Sequence, residues 1–244
     1  MGTESEGRTG DGLDMPQGKS WNEVEKVILK RRSVRRYKKK QVPETLIRRI
    51  LEAGRYAPSA GNYQPWSFIV VRDKEILDEI EASIRKQCKI LKVLLDWKTS
   101  PLGPVSWCLA QTIIRLMPNK LHPTPFTALF MIADGKLKVF HDAPTVIMLL
   151  KDRRGVSKPE VDIGICGQNI ILAAHSLGLG TCWVGFVELI RRSRKWKKRL
   201  GIEYPYELSE GIAVGYPAGR PDGVVPREIH RIGWIEGGTN RIVT

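Results

Sequence analysis

Four short apolar stretches, separated by longer amphipathic segments, constrain the fold of this chain more than any other feature. The stretches at 66–71, 145–150, 181–187 and 211–216 are rich in β-branched and aromatic residues, which favour buried strands. Apolar residues at helical spacing predict helices before and between them, including 74–97, 160–177 and a basic helix at 188–200. Because helices and strands alternate irregularly, we predict an α+β fold with a mixed sheet flanked by helices.

The two ends and one internal segment break this pattern. Residues 1–19 are rich in glycine and poor in apolar groups, which predicts a disordered tail ahead of one domain at 20–244. Ser20 and Glu23 form a capping-box pattern that predicts the start of the first helix. Residues 99–139, rich in Pro, Met and aromatic residues, predict short helices in an irregular excursion. The chain is expected to end in a short extended segment.

Composition narrows the class of protein. A formal net charge of +14 attracts anionic ligands, including phosphates, nucleic acids and anionic membranes, without choosing among them. The four cysteines are scattered and form no CxxC pair, so we expect a reducing, cytoplasmic location. The first residues lack the apolar core of a signal peptide, and the longest uncharged run contains two prolines and is too short for a membrane span.

The most basic segment is 31–40, in which seven of ten residues are Arg or Lys. If the first helix continues through it, Arg31 and Arg35 lie one turn apart and can converge on one anion, with the Ser33 hydroxyl as a further donor. That arrangement suits a phosphate monoester. A solvated basic helix end, favoured by the helix dipole, explains the same run.

Two further segments have ligand-binding character. Residues 57–66 join a helix to the first strand with small residues and prolines, and the amides of Asn62 and Gln64 can match the donor and acceptor edge of a flavin. A plain tight loop is the alternative. In 178–185, glycines bracket a short strand that contains Trp183, and the main-chain N–H groups of this strand can face a ligand. Glycines that simply end a helix are the alternative, because glycine is common there. His175 is expected to be a packing residue, and no metal-binding spacing or nucleophile triad is present.

Taken together and in this order, these segments resemble the FMN-dependent nitroreductase family over about residues 21–235. The anchors are 31–35, 57–66, 162–185 and 213–217. The resemblance implies a largely antiparallel sheet and an interlocked homodimer with FMN at its interface, near the helix at 162–177. Gly164 and Gly167 would allow close helix approach there, or serve as packing glycines.

The resemblance also implies site residues. Arg31, Arg32, Ser33 and Arg35 would hold the phosphate and ribityl end of FMN, with Arg227 as a second phosphate cation. A loop from the partner subunit and a turn at flavin N5 would complete the site: Pro58, Ser59, Ala60, Asn62 and Gln64 in the loop, Val184 and Gly185 in the turn. The variable region 99–139 would cover the substrate, with Trp107, Phe126 and Phe130 as candidate contacts.

The activity that the resemblance implies is hydride transfer from NAD(P)H through flavin N5 to a small electron-poor substrate such as a nitroaromatic, quinone or activated alkene. FMN carries that chemistry, so no catalytic side chain is assigned. Dehalogenation, heterocycle oxidation and flavin fragmentation are alternatives on the same scaffold. A basic nucleic-acid-binding protein is an alternative of another class, motivated by 31–40 and 191–199. No recognisable nucleic-acid-binding motif accompanies those basic runs, so nucleic acid is not expected as a partner.

Overall fold

The computed structural model describes residues 21–95, 123–155, 158–219, 231–237 and 239–243, together with Gly103, Cys108 and Thr112. Its centre is a four-stranded sheet in the order β1–β2–β4–β3, and all its neighbouring strands pair antiparallel. Within the described ranges, parallel pairing occurs at the bridge between Ser33 and Thr181. The predicted α+β class with a largely antiparallel sheet is confirmed. The strands are β1 (Trp66–Val71), β2 (Thr145–Asp152), β3 (Gly180–Val184) and β4 (Tyr206–Gly215).

Helices cover both faces of this sheet. Along β2, Val146 and Met148 pack into one core cluster, whereas Ile147 and Leu149 pack into another, because successive side chains of a strand point to opposite faces. The first cluster, which we call the α3 face, includes side chains from α3 and α4; the second, the α5 face, includes α2 and α5. The result is a three-layer arrangement. The helices are α1 (Glu23–Lys30), α2 (Glu44–Arg55), α3 (Lys74–Leu95), α4 (Pro123–Ala133), α5 (Pro159–Ser176) and α6 (Arg194–Arg199).

A β-bulge in β4 changes which face its side chains meet. Leu149 pairs with Glu210, but the next residue of β2, Leu150, pairs with Leu208, so Ser209 is the extra residue. Bulges reverse the alternation of the strand that carries them. Leu208 therefore lies in the α3 face, although Ile212, an even number of residues away, lies in the α5 face.

The first helix starts two residues later than the sequence pattern predicts. Asn22 is the N-cap: its side chain accepts from the Glu25 N–H at 2.9 Å, and the Glu25 carboxylate accepts from the Asn22 N–H at 2.7 Å. The predicted box at Ser20 and Glu23 is wrong, because the same Ser/Asn-x-x-Glu pattern recurs at 22–25 and the helix uses the second copy. α1 ends at Lys30.

The segment after β3 also differs from the prediction. β3 ends at Val184, and a 3-10 turn at Gly185–Ile190 replaces the last three residues of the predicted strand. The predicted basic helix at 188–200 is divided into that turn and the short α6, which begins where the Ser193 hydroxyl accepts from the Trp196 N–H. Trp196 is buried in the α3 face, so this side chain anchors α6 to the core.

The C-terminal extended segment is a hairpin of β5 (Ile232–Glu236) and β6 (Thr239–Val243). Ile232, Trp234 and Ile235 are exposed on it. All four cysteines are free thiols. None of the helices within the described ranges is both long enough and apolar enough to cross a membrane.

Candidate functional site

The basic segment 31–40 is extended rather than helical. After α1 ends, Ser33 bridges Thr181 of β3 in parallel, and the Val34 N–H donates to the Thr181 carbonyl at 2.8 Å. The predicted i to i+4 convergence of Arg31 and Arg35 is therefore wrong. In extended chain, however, alternate side chains share a side. Arg31, Ser33 and Arg35 can therefore face the same way, although four residues of extended chain separate Arg31 from Arg35 by roughly 13 Å.

Packing fixes this segment against the sheet edge. Val34 is buried over Gly180, where an added Cβ would lie 2.7 Å from Val34 Cγ2, so only glycine permits the approach. Arg32 turns back and donates to the carbonyls of Leu29 and Arg31 at 2.6 and 2.8 Å. The Arg32 guanidinium thus stabilises the end of α1 as well as adding charge to the segment.

His175 lies in the last turn of α5, half-buried beside the same cations. Burial lowers its pKa, and the charges of Arg31 and Arg32 lower that pKa further. The imidazole is thus mainly neutral at neutral pH, which agrees with the predicted packing role. The positive potential at this edge comes from the arginines.

The loop predicted to meet a flavin has a strained and exposed conformation. Asn62 and Gln64 have φ of +54° and +52°, which non-glycine residues adopt at a cost of roughly 1–3 kcal/mol. The Ser59 hydroxyl accepts from the Gln64 N–H at 2.9 Å, and the Gln64 amide donates to Asn62 Oδ1 at 3.1 Å. Both amide side chains are exposed. Such strain, maintained on a surface, is typical of ligand-contacting loops.

The end of β3 contains a pair that the sequence analysis missed. The Trp183 indole N–H donates to Glu210 Oε2 at 2.8 Å, and the same oxygen lies 3.5 Å from the position of a Cβ on Gly185. The indole covers Gly167 of α5, where a Cβ would lie 2.4 Å from the ring, so Gly167 is a packing glycine for Trp183. The predicted strand began at residue 211, so Glu210 lay outside it. The signal in the sequence that could have identified Glu210 is an acidic residue directly beside an apolar strand.

The predicted site residues fall into two groups on one chain. Arg31, Arg32, Ser33 and Arg35 adjoin β3, whose end carries Val184 and Gly185, whereas Pro58, Ser59, Ala60, Asn62 and Gln64 precede β1. β1 and β3 are the outer strands of the sheet, separated by two others. Three interstrand spacings of about 4.8 Å place these groups about 14 Å apart across the sheet.

The candidate substrate residues lie partly outside the described ranges. Phe126 and Phe130 are half-buried on α4, and Phe130 packs against the α3 face with Lys92 Nζ 5.7 Å from its ring centre. Packing accounts for the burial of Phe130. Trp107 and Arg227 lie outside the described residues, as does the predicted tail at 1–19.

A sequence profile of the nitroreductase family matches residues 28–216, and the chain belongs to this family. A Methanothermobacter thermautotrophicus protein with the provisional name NADH dehydrogenase/NAD(P)H nitroreductase is 31% identical over 218 residues, covering 87% of this chain and 88% of that protein. The Bacillus subtilis protein named FMN reductase (NAD(P)H) is 31% identical over 204 residues, covering 82% and 68%. The solved nitroreductase of Desulfitobacterium hafniense with bound FMN is 26% identical, with a TM-score of 0.63 over 85% of this chain and 96% of that one.

Proposed function

We propose that this protein is an FMN-dependent NAD(P)H oxidoreductase that reduces small electron-poor substrates. The main-chain contact between the basic segment and β3 supports the proposal, because the proposed phosphate-binding cations then adjoin the strand that leads into the small-residue turn. From Thr181 to Gly185 the strand rises by roughly 13 Å. The cations and the turn are thus separated along the strand, as the phosphate and the ring are in a mononucleotide.

The residues present fit FMN. Arg31, Ser33 and Arg35 offer charge-assisted and hydroxyl donors for a phosphate on one side of an extended segment. At Gly185 the position of a Cβ is open except for Glu210, so the backbone can lie close to a planar ring. Bound FMN would supply the hydride-transfer chemistry; the chain would hold it, orient it and exclude water.

A complete site requires two copies of the chain. The loop at 58–64 and the basic segment are on opposite edges of one sheet, so the loop of one copy would meet the β3 edge of another. The outer surfaces of α1 and α5 support this arrangement. α1 buries none of its residues in the single chain, and its Val24 and Ile28 are 67% and 50% exposed. Ile165 of α5 is also exposed. A short helix needs packing to be stable, so these surfaces are suited to a homodimer interface.

The purified full chain provides the test of the activity. We expect a yellow protein with one FMN per chain, whose colour is bleached anaerobically by NADH or NADPH. Because one flavin face would serve donor and acceptor in turn, double-reciprocal plots at several acceptor concentrations should be parallel. A chain that takes up no FMN contradicts the proposal, and tight, salt-sensitive DNA binding by such a chain would favour the nucleic-acid alternative.

The proposed substrate belongs to one of the predicted classes. Nitroaromatics, quinones and activated alkenes are the first candidates, and a screen on the reduced protein decides among them. Dehalogenation, heterocycle oxidation and flavin fragmentation remain alternatives, favoured if a chemical reductant bleaches the flavin and neither nicotinamide does. The domain limits, with a tail at 1–19 and a substrate cover at 99–139, and the cytoplasmic location remain predictions.

A further inference from the structure

Glu210 is placed at the proposed cofactor site by three features of the fold. Its side chain lies on the α5 face, because Glu210 alternates with Ile212 along β4 and pairs with Leu149 of β2. The Trp183 indole N–H donates to its carboxyl at 2.8 Å, and Gly167 gives the indole room to pack against α5. The carboxyl consequently faces Gly185, the residue expected to lie beside the flavin ring.

The charges around Glu210 leave its ionised form poorly compensated. Burial raises the pKa of Glu210, and the charge of Glu188, on the 3-10 turn after β3, raises it further. The hydrogen bond from Trp183 and the charge of Lys151 on β2 lower it. Lys151 is itself occupied: its ammonium lies 2.5 Å from Glu160 and 3.3 Å from Glu207. Glu207 also pairs with Arg191 at 3.8 Å.

We propose that Glu210, held by Trp183, is a positioning residue that sets the reduction potential of the flavin bound at Gly185. This inference rests on the proposed function, since it requires FMN at this turn. Reduction adds negative charge to the flavin ring. An ionised carboxylate in a half-buried position nearby opposes that charge, and a protonated carboxyl does not. Glu210 thus lowers the reduction potential of the flavin at pH values above its own pKa, and this effect is lost at pH values below that pKa.

The substitution Glu210→Gln separates charge from position. The amide keeps an oxygen that accepts from the Trp183 indole, so the geometry is preserved while the charge is removed. The matched control is Glu207→Gln, on the same strand: it removes the same charge from a residue that pairs with Lys151 and Arg191 rather than with Trp183. We expect both variants to retain FMN as the wild type does.

The midpoint potential of bound FMN is the first measurement. At about pH 8.5 it should be more positive in Glu210→Gln than in the wild type, and the difference should shrink towards about pH 5 as the wild-type carboxyl takes up its proton. Glu207→Gln should show a much smaller shift. Equal potentials in Glu210→Gln and the wild type across this range would overturn the inference while leaving the proposed function intact.

A second measurement uses the FMN-free protein, so it does not depend on the cofactor. The fluorescence attributable to Trp183, taken as wild type minus Trp183→Phe, should titrate with an inflection above the ordinary glutamate pKa. The same difference in a Glu210→Gln background should not titrate there. Trp183 emission that is independent of pH in the wild type would show that the pair does not ionise in contact and would overturn the inference; failure of the wild type to bind FMN would overturn the proposed function.

Discussion

At the scale of single residues, the arginines next to β3 have different roles. The Arg32 guanidinium donates to two carbonyls at the end of α1, whereas Arg31 and Arg35 lie two residues before and after Ser33 in the extended segment. Arg31→Ala and Arg35→Ala should each weaken FMN binding about 10- to 150-fold, because each removes a charge-assisted contact worth about 1.5–3 kcal/mol. Titration of the FMN-free protein with FMN measures the loss.

Arg192→Ala and Arg194→Ala are the charge-matched controls. Both arginines are exposed, Arg192 just before α6 and Arg194 as its first residue, and Trp196 of α6 is buried in the α3 face. We expect FMN affinity within about twofold of the wild type, since only distant, screened charge is lost. If neither Arg31→Ala nor Arg35→Ala exceeds these controls, the phosphate-binding assignment is wrong.

Two glycines of α5 provide a second test at this scale. Gly167→Ala places a Cβ 2.4 Å from the Trp183 ring and 3.1 Å from Leu149 Cδ1, so the indole must move. We expect a net loss of about 1–2 kcal/mol in the free energy of unfolding by urea, because overpacking costs about 1–3 kcal/mol and better helix propensity returns up to about 1. Gly164→Ala meets no heavy atom within 4 Å and should be neutral or stabilising. A Gly167→Ala protein as stable as Gly164→Ala would contradict this packing.

At the scale of elements, α4 tests the role of the predicted substrate cover. Phe126 and Phe130 are both half-buried, but only Phe130 is packed against the α3 face. If α4 lines the substrate site, Phe126→Ala should change the ratio of kcat/KM between a nitroaromatic and a quinone by about tenfold, with unchanged FMN content. Phe130→Ala should also lower the melting temperature. Equal losses for both acceptors in both variants would indicate packing alone.

Helices and strands were predicted well from the sequence where the apolar periodicity was strong, and poorly where tertiary packing determines the bounds of an element. β1 has the predicted bounds, and α3 is helical throughout the part of the predicted 74–97 that the structure describes, because each apolar pattern is long and bounded by turn residues. Residues 185–200 were predicted as strand and helix, but they form a 3-10 turn and the short α6, which buried Trp196 anchors to the core. For Glu210 the only signal in the sequence was an acidic residue beside an apolar strand, since its partner Trp183 lies on a strand that is distant along the chain.

At the scale of the whole molecule, assembly and cofactor binding should be lost together. Ile165→Glu puts a charge on the exposed outer side of α5, where we place the partner subunit. We expect a monomer in sedimentation velocity that retains its far-UV circular dichroism but not its FMN, because one copy lacks the loop at 58–64 from its partner.

The control Ile90→Glu changes an exposed apolar residue of α3, on the other side of the sheet. It should sediment as the wild type does and keep its FMN. An Ile165→Glu protein that remains a yellow dimer would move the interface elsewhere, and a monomer that holds FMN would remove the need for a partner loop.

The extended basic segment also bears on solubility. An outer strand exposes unpaired main-chain groups that can pair with another chain and begin aggregation. Here Val34 and Lys38 donate to the carbonyls of Thr181 and Tyr216, and the Ala218 N–H donates to the Arg36 carbonyl, so the main-chain groups at the start of β3 and the end of β4 are already paired with a highly charged segment, which disfavours strand pairing with another chain. Neutralising that run to alter cofactor binding would therefore be expected to shorten the shelf life of the protein at high concentration, even where the fold is unchanged.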